Sequence, residues 1–189
     1  MTDTDPRRTR LLRAAAGLAL TLVVAACGED AEGGADEEDT LRLGTEAEIE
    51  FYPIDGGTEP QGPGTVAVTD VREGTIDDLT GAGLQLDPEE LESTPYYVDV
   101  RFENTGDTAV DLRDPGAEDQ DGNAIPSLTI IDLGDAPPYR FCPAVPDTLA
   151  AGRTVEACAI ILAPAGREIE RIYFLPGGSE GFLYWETGL

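Results

Sequence analysis

Residues 96–103 of the chain read YYVDVRFE, and this stretch carries the clearest secondary-structure pattern in the sequence. Its side chains fall into an apolar set and a mostly charged set that alternate: Tyr96, Val98, Val100 and Phe102 against Tyr97, Asp99, Arg101 and Glu103. A period of two places alternate side chains on opposite faces of a β-strand. We therefore expect the apolar set in the core and Asp99, Arg101 and Glu103 facing outward. A shift of one residue would bury two carboxylates and a guanidinium, so the register is strongly determined.

Further strands are predicted on both sides of this one. Their apolar positions lie in residues 41–51, 66–71, 110–112, 125–131, 154–162, 168–175 and 182–185. Residues 74–94 are less regular, and only Asp87–Leu91 is typical of a helical turn, with Pro88 at its first position. Seven or eight short strands with little helix predict an all-β, antiparallel immunoglobulin-like β-sandwich over residues 41–189.

The first 26 residues have the parts of a secretory signal peptide. A cationic head contains Arg7, Arg8, Arg10 and Arg13, and an apolar run from Ala14 to Ala26 follows it. This run is too short to span a membrane, which requires about 20 apolar residues. Arg10 stands where twin-arginine export expects a large apolar residue, so we expect general secretion.

The end of this segment, Val24-Ala25-Ala26-Cys27, resembles the lipobox of bacterial lipoprotein signals. The resemblance implies cleavage before Cys27 and attachment of a diacylglyceryl group to its sulfur. The mature chain would then be anchored at the outer face of the cytoplasmic membrane. Residues 27–40 are acidic and lack apolar side chains larger than Ala after Cys27, so we expect a disordered tether there.

The charge of the chain excludes several kinds of partner. The formal net charge is −26, and removing residues 1–26 takes away four arginines and two aspartates, which leaves −28. The chain contains no Lys and no His. Such a surface repels nucleic-acid phosphates and anionic lipid head groups, so we expect no nucleic acid partner and membrane contact only through the lipid on Cys27.

The order of motifs in residues 41–189 resembles the telokin-like, immunoglobulin-like domains of unknown function in exported bacterial lipoproteins. The matching residues are short and structural: Leu43-Gly44, Val66–Val71, Tyr97–Val100, the Asn104–Asp107 turn, Asp121-Gly122-Asn123 and Leu149–Thr154. Residues 74–94 and the proline-rich stretch around Cys142 depart from the family. The resemblance implies a β-sandwich and supplies no catalytic residues.

Two cysteines remain after lipidation of Cys27. Cys142 and Cys158 are an even pair in an exported chain, which predicts a disulfide. Two buried free thiols are the alternative. A disulfide across this short loop would stabilise the fold by roughly 3 kcal/mol.

The sequence lacks most of the residue types that enzymes use for catalysis. Without His there is no Ser-His or Cys-His pair, and without Lys there is no Schiff base and no P-loop. A carboxylate pair of the glycosidase kind is the remaining possibility, but no nucleophile, base and orienting group occur together. We therefore expect no enzyme activity and no cofactor.

Calcium is the metal for which the sequence offers candidate ligands. Oxygen-bearing side chains crowd the predicted loop 114–123: Asp114, Asp119, Asp121 and Asn123, with Glu118 among them. Hard oxygen ligands on a loop suit Ca²⁺, yet Gly122 stands at the fourth position of the Asp119–Asn123 run and no Glu closes it as in an EF-hand. A turn between strands is the ordinary interpretation of such a segment.

Aromatic residues near the end of the chain are candidates for a binding surface. Phe182 and Tyr184 should lie on one face of a strand and Trp185 on the other. One face is expected in the core, and an exposed opposite face is the condition for a binding surface; packing of the rings in the core is the ordinary interpretation. The leading hypothesis is a non-enzymatic, surface-tethered module that contacts an unknown protein partner. The alternative is a small solute- or calcium-binding lipoprotein that serves a transporter or sensor.

Overall fold

The computed structural model describes residues 40–129, 141–178 and 181–189 of the chain. The predicted signal peptide (1–26), the lipid attachment at Cys27 and residues 27–39 of the tether lie outside these residues. So do residues 130–131 of the predicted 125–131 strand. No helix in the described part of the chain is long and apolar enough to cross a membrane.

The described residues form ten strands and one short α-helix. In chain order these are β1 (Ala47–Phe51), β2 (Gly62–Glu73), α1 (Ile76–Gly81), β3 (Thr94–Asn104), β4 (Val110–Asp111), β5 (Gly116–Asp119), β6 (Ala124–Ile125), β7 (Thr148–Leu149), β8 (Thr154–Ala163), β9 (Ile169–Phe174) and β10 (Leu183–Glu186). A 3₁₀ turn covers Glu90–Glu92. The strand count exceeds the predicted seven or eight because β5 and the two-residue β7 were not predicted.

Two four-stranded antiparallel sheets contain most of these strands. The first sheet has the order β1-β2-β3-β8, the second has the order β10-β9-β5-β6, and β4 pairs with β7 beside them. The predicted all-β antiparallel sandwich is confirmed. The telokin-like assignment stays a prediction.

The main core lies between the sheets, and β3 supplies its centre as expected. Val98, Val100 and Phe102 are fully buried, whereas Asp99, Arg101 and Glu103 are half-exposed on the opposite face. The Phe102 ring packs against Phe174 of β9, with 5.6 Å between ring centroids. The alternation in residues 96–103 therefore predicted both the strand and its register.

A second, smaller apolar cluster covers one end of the outer face of the first sheet. Its buried members are Leu79, Tyr97, Cys142, Cys158 and Ile160. Tyr97 lies on the same face as Asp99, yet it is only 4% exposed because α1 and the segment after residue 140 pack over it. The period of two cannot predict this burial, since the covering residues are distant in sequence.

The predicted disulfide is present inside this cluster. Cys142 and Cys158 are bonded, with 4.9 Å between their Cα atoms. The backbone N–H of Cys158 also donates to the carbonyl of Pro143 at 2.7 Å. The proline-rich segment is thus fixed to β8 by a covalent bond and a hydrogen bond.

Two segments differ from the prediction. Residues 76–81 form α1, which begins with a capping box: the Asp78 N–H donates to the Thr75 hydroxyl, and the Thr75 N–H donates to the Asp78 carboxylate. The predicted 114–123 loop contains strand β5, so the interpretation of the whole segment as a loop was wrong. Its Gly116 and Ala117 are small, and small residues give a weak alternating pattern.

Candidate contact surface on the second sheet

Three aromatic side chains meet on the outer face of the second sheet. Tyr173 of β9 and Tyr184 of β10 are directly opposite each other in the antiparallel register, and Phe182 precedes β10. The Phe182 ring centroid lies 5.4 Å from that of Tyr173 and 6.1 Å from that of Tyr184. We call Tyr173, Phe182 and Tyr184 the aromatic surface.

The alternation in β10 explains why these rings face outward. Trp185 is fully buried in the main core, where its indole N–H donates to the Thr45 carbonyl at 3.0 Å. Its neighbour Tyr184 must then point to the opposite face. The two side chains therefore lie on opposite faces as predicted, although Tyr184 is only 5% exposed on the outer face.

The ion pair between Arg171 and Glu118 lies beside the aromatic surface and fixes Tyr184. The Arg171 guanidinium lies over the Tyr184 ring, 3.7 Å from its centroid, and its Nε donates to Glu118 Oε2 at 2.8 Å. The Tyr184 hydroxyl donates to Glu118 Oε1 at 3.1 Å. One carboxylate therefore fixes both the cation and the phenol, and this restricts the rotamers of Arg171 and Tyr184.

Gly116 allows Tyr173 to lie close to the sheet. The two residues are opposite each other in the β5–β9 register, and a Cβ atom on Gly116 would overlap the Tyr173 ring and hydroxyl. Burial and then the nearby Glu118 carboxylate raise the pKa of Tyr173 above its ordinary value, so the side chain is a neutral phenol at physiological pH. The ring is thus positioned by a residue without a side chain.

The accessible part of this surface is Phe182. It is 44% exposed, whereas Tyr184 is buried beneath Arg171 and Phe182. A large apolar ring held by other rings loses little conformational freedom when a partner covers it, and such residues are frequent at the centres of protein interfaces. The site thus presents the apolar ring of Phe182 for contact, next to the ion pair of Arg171 and Glu118.

The sequence indicated only part of this surface. Phe182 and Tyr184 were candidates because they are aromatic and alternate with Trp185. Arg171 and Tyr173 also alternate within the predicted 168–175 strand, and that pattern could have placed them on one face. Glu118 was instead grouped with the calcium candidates, since the strand that carries it was not predicted.

The calcium candidates Asp119, Asp121 and Asn123 meet in the turn between β5 and β6. The Asp119 side chain is 1% exposed, and its Oδ1 accepts from the N–H of Asp121 at 3.0 Å and from the N–H and Nδ2 of Asn123 at 2.8 and 3.0 Å. Its Oδ2 accepts from Asn123 Nδ2 at 3.0 Å and from Arg167 Nη1 at 2.9 Å. Backbone, amide and guanidinium donors thus occupy both carboxylate oxygens.

These donors determine the electrostatics of the turn. The backbone N–H of Asn123 is the main reason that the pKa of Asp119 lies below its ordinary value, with smaller contributions from the Asn123 side chain, the Asp121 N–H and the Arg167 charge. The carboxylate therefore stabilises the hairpin, and a calcium ion would have to displace these donors.

Asp114, the fourth calcium candidate, lies beyond the opposite end of β5. Partial loss of hydration and then the nearby Asp147 carboxylate raise the pKa of Asp114. Among residues 40–129, 141–178 and 181–189, no three or more acidic or cysteine side chains are grouped so that they could hold a metal ion.

Comparisons with known proteins bear on the fold. A comparison with protein-family models finds no match for this chain, and a comparison with curated proteins finds none either. Among solved structures, the chain is similar to MPT63, a secreted protein from Mycobacterium tuberculosis, with a TM-score of 0.52 and 15% sequence identity. The alignment covers 80% of this chain and 99% of that chain. At this identity the similarity shows that the fold is shared, and no family assignment follows.

Proposed function

We propose that the protein is a lipid-anchored, extracytoplasmic immunoglobulin-like module without catalytic activity, which contacts another cell-envelope protein through its aromatic surface. The observation that carries the proposal is the exposure of Phe182 on a framework of fixed side chains. Such a surface is already arranged for binding, so association would cost little side-chain entropy.

Three observations support the location. The first 27 residues resemble a lipoprotein signal that ends at Cys27. The Cys142–Cys158 disulfide is typical of proteins from oxidising compartments. The similar solved structure is that of a secreted protein. The sequence, the disulfide and the fold thus agree on export.

The charge of the chain limits the kind of partner. Two copies with a formal net charge of −26 repel each other, so a different protein is favoured over a second copy. Glu170 and Glu186 are exposed on the strands that carry the aromatic surface. A fitting partner therefore has an apolar pocket for Phe182 and a neutral or basic rim.

The absence of His and Lys from the sequence supports a non-enzymatic role. The alternative of a calcium-binding lipoprotein gains no support from Asp119, because hydrogen-bond donors of the hairpin surround its carboxylate. Contact through a preformed surface is the function that the arrangement of residues favours.

Site-specific photocrosslinking in intact cells tests the contact. A photoreactive amino acid replaces Phe182 in the full-length protein, and a control carries it at Leu91, an exposed apolar residue of the 3₁₀ turn. We expect a discrete protein adduct from position 182 that position 91 does not give. Equal adducts from both positions, or none from position 182, would contradict the proposal.

Membrane attachment has a separate test. Cys27→Ser should shift the protein from the membrane fraction to the soluble exported fraction or leave the signal peptide uncleaved, because the acyl chains provide the anchor. Unchanged cleavage together with unchanged membrane association would show that Cys27 is not the anchor. The crosslinking result would still decide whether Phe182 contacts a partner.

A further inference from the structure

The outer strands of the two sheets differ in how their edges are covered. An uncovered strand edge presents unpaired N–H and C=O groups that can pair with another chain, and proteins usually block such edges. The outer strands are β1 and β8 in the first sheet and β10 and β6 in the second. Three of these four edges are covered over at least part of their length or are very short.

The edge of β10 is closed by the segment that precedes β1. The Leu41 N–H donates to the Tyr184 carbonyl at 2.7 Å, and the Glu186 N–H donates to the Leu41 carbonyl at 2.9 Å. The edge of β8 is covered from Cys158 to Ile161: the Cys158 N–H donates to the Pro143 carbonyl at 2.7 Å, the Leu128 N–H donates to the Ile160 carbonyl at 2.6 Å, and Ser127 forms a bridge with Ile161. The β6 edge is only two residues long.

Strand β1 is the exception. Its five residues pair with β2 in an uninterrupted register from Ala47 to Phe51, and no other described strand pairs with it. It contains no Pro or Gly and no bulge, the features that commonly disable an edge. Within the described part of the chain, β1 thus keeps one long, regular backbone edge available for pairing.

The side chains of β1 alternate along this edge. Ile49 and Phe51 are buried in the main core, whereas Glu48 and Glu50 point to the outer face. Among the described residues, neither Glu48 nor Glu50 has an ion-pair partner, although the adjacent Glu46 pairs with Arg101. Beside them lies an open depression of about 420 Å³ whose lining includes Pro63, Thr65 and Thr105.

We propose that the β1 edge is a strand-addition site for an extended segment of a partner protein in which apolar and basic side chains alternate. The backbone edge would supply the hydrogen bonds, as in other cases of β-augmentation. The apolar side chains would continue the row of Ile49 and Phe51, and the basic ones would lie opposite Glu48 and Glu50. Cross-strand pairs of opposite charge stabilise a sheet, whereas like charges destabilise it.

The same charges argue against a second copy as the occupant. Antiparallel pairing of two β1 strands would place glutamates of one copy beside those of the other. The proposal goes beyond the proposed function by adding a second contact site and naming the chemistry of its partner. It does not depend on the aromatic surface, which lies on the other sheet.

Hydrogen-exchange mass spectrometry of the full-length protein in nonionic detergent tests this site with two synthetic peptides. The first peptide is TKVKVKVT, and the second, TKPKPKPT, has the same length and charge. Its three prolines lack N–H groups and fix φ at about −65°, which disfavours the extended strand and removes three donors. We expect the first peptide to slow exchange in residues 47–51 and the second to have no such effect. Equal slowing by both peptides, or no slowing by the first, would overturn the proposal.

Charge-reversal variants sharpen the test. Glu48→Lys with Glu50→Lys should weaken binding of the first peptide at least tenfold, through lost attraction and new repulsion. Glu89→Lys with Glu92→Lys makes the same change in net charge at exposed positions of the 3₁₀ region and should change binding less than twofold. If both double variants weakened peptide binding equally, the effect would come from the net charge of the protein and the proposed β1 site would be wrong.

A third variant separates this proposal from the proposed function. Phe182→Ala should leave binding of the first peptide unchanged, because Phe182 lies on the second sheet. If Phe182→Ala abolished peptide binding, the peptide would be bound at the aromatic surface and the β1 assignment would be wrong.

Discussion

Phe141 and Phe182 have similar exposure and a similar tyrosine contact, but they cover the outer faces of different sheets. They are 43% and 44% exposed, and each meets a tyrosine ring edge-on with 5.4 Å between centroids: Phe141 meets Tyr97, and Phe182 meets Tyr173. An arginine stacks on a tyrosine in both places, Arg72 on Tyr97 and Arg171 on Tyr184. The two phenylalanines therefore match in exposure and in their edge-on tyrosine contact.

The difference lies beneath the rings. Phe141 covers Tyr97 and the second apolar cluster, and its backbone carbonyl accepts from Arg72 at 2.9 Å beside the disulfide. Phe182 covers the outer side chains of a sheet whose core is already complete on the opposite face. Exposure alone therefore does not distinguish a stabilising residue from a binding residue. The two can be distinguished by the layer of side chains that each ring covers. We expect Phe141 to serve the fold and Phe182 to serve contact.

The largest effect is expected in the core that both regions share. Val100→Asp should unfold the domain, because it buries an unpaired carboxylate in the core between the two sheets. The cost is about 4 kcal/mol or more, against a total stability of about 5–15 kcal/mol for a typical domain. Near-ultraviolet circular dichroism would report the loss of packing. Glu103→Gln, on the outer face of the same strand, should change stability by less than about 0.5 kcal/mol. A folded Val100→Asp variant would refute the register of β3.

The next largest effect is expected on the Phe141 side. Replacing both Cys142 and Cys158 with Ala should lower the free energy of unfolding by about 3 kcal/mol, since the disulfide joins positions 16 residues apart and restricts the unfolded chain. Guanidinium chloride unfolding of the purified full-length protein measures this loss. If the free energy of unfolding fell by less than about 1 kcal/mol, the segment around Cys142 would remain packed on the second cluster without the disulfide.

On the second sheet, where Phe182 lies, the turn between β5 and β6 takes the place of the disulfide as the stabilising feature. Asp119→Asn should destabilise the β5–β6 hairpin that carries Glu118, and the effect should depend on pH. Because the pKa of Asp119 is lowered in the folded state, its contribution is complete above the ordinary value of 3.8 and is lost as the pH falls through the lower folded value. The difference between wild type and variant should therefore be constant near neutral pH and shrink below 3.8.

The matched control for this experiment is Asp121→Asn. Only the backbone N–H of Asp121 contacts Asp119, and the substitution keeps that donor. Its stability should follow that of the wild type across the same pH series. A wild-type advantage over Asp119→Asn that persists unchanged at acid pH would contradict the role of the carboxylate.

A smaller loss is expected from Phe141→Ala. Removing the ring breaks the contact with Tyr97 and uncovers part of the second cluster, which should cost about 1–2 kcal/mol. Thermal unfolding measures this cost. The loss should largely disappear in a background that already lacks the disulfide, because the two changes loosen the same segment.

The sequence predicted those features that depend on neighbouring residues. The alternation in residues 96–103 determined the register of β3, and the alternation of Tyr184 with Trp185 divided β10 between core and surface. It did not predict the burial of Tyr97, because α1 and the Phe141 segment come from distant parts of the chain. The sequence did not predict strand β5, because its pattern depends on small residues. The ion pair between Glu118 and Arg171 beside the aromatic surface was therefore not predicted either.

The most direct test of the central claim compares Phe141→Ala and Phe182→Ala in one denaturant series on the full-length protein. The rings are almost equally exposed, so a difference in stability would reflect what they cover and contact rather than how much of each is buried. We expect the loss for Phe182→Ala to be about 1 kcal/mol or less and clearly below that for Phe141→Ala, because Phe182 contacts two rings but covers no second apolar cluster. Equal losses for the two variants would show that Phe182 is part of the stabilising structure and would contradict its assignment as a contact residue.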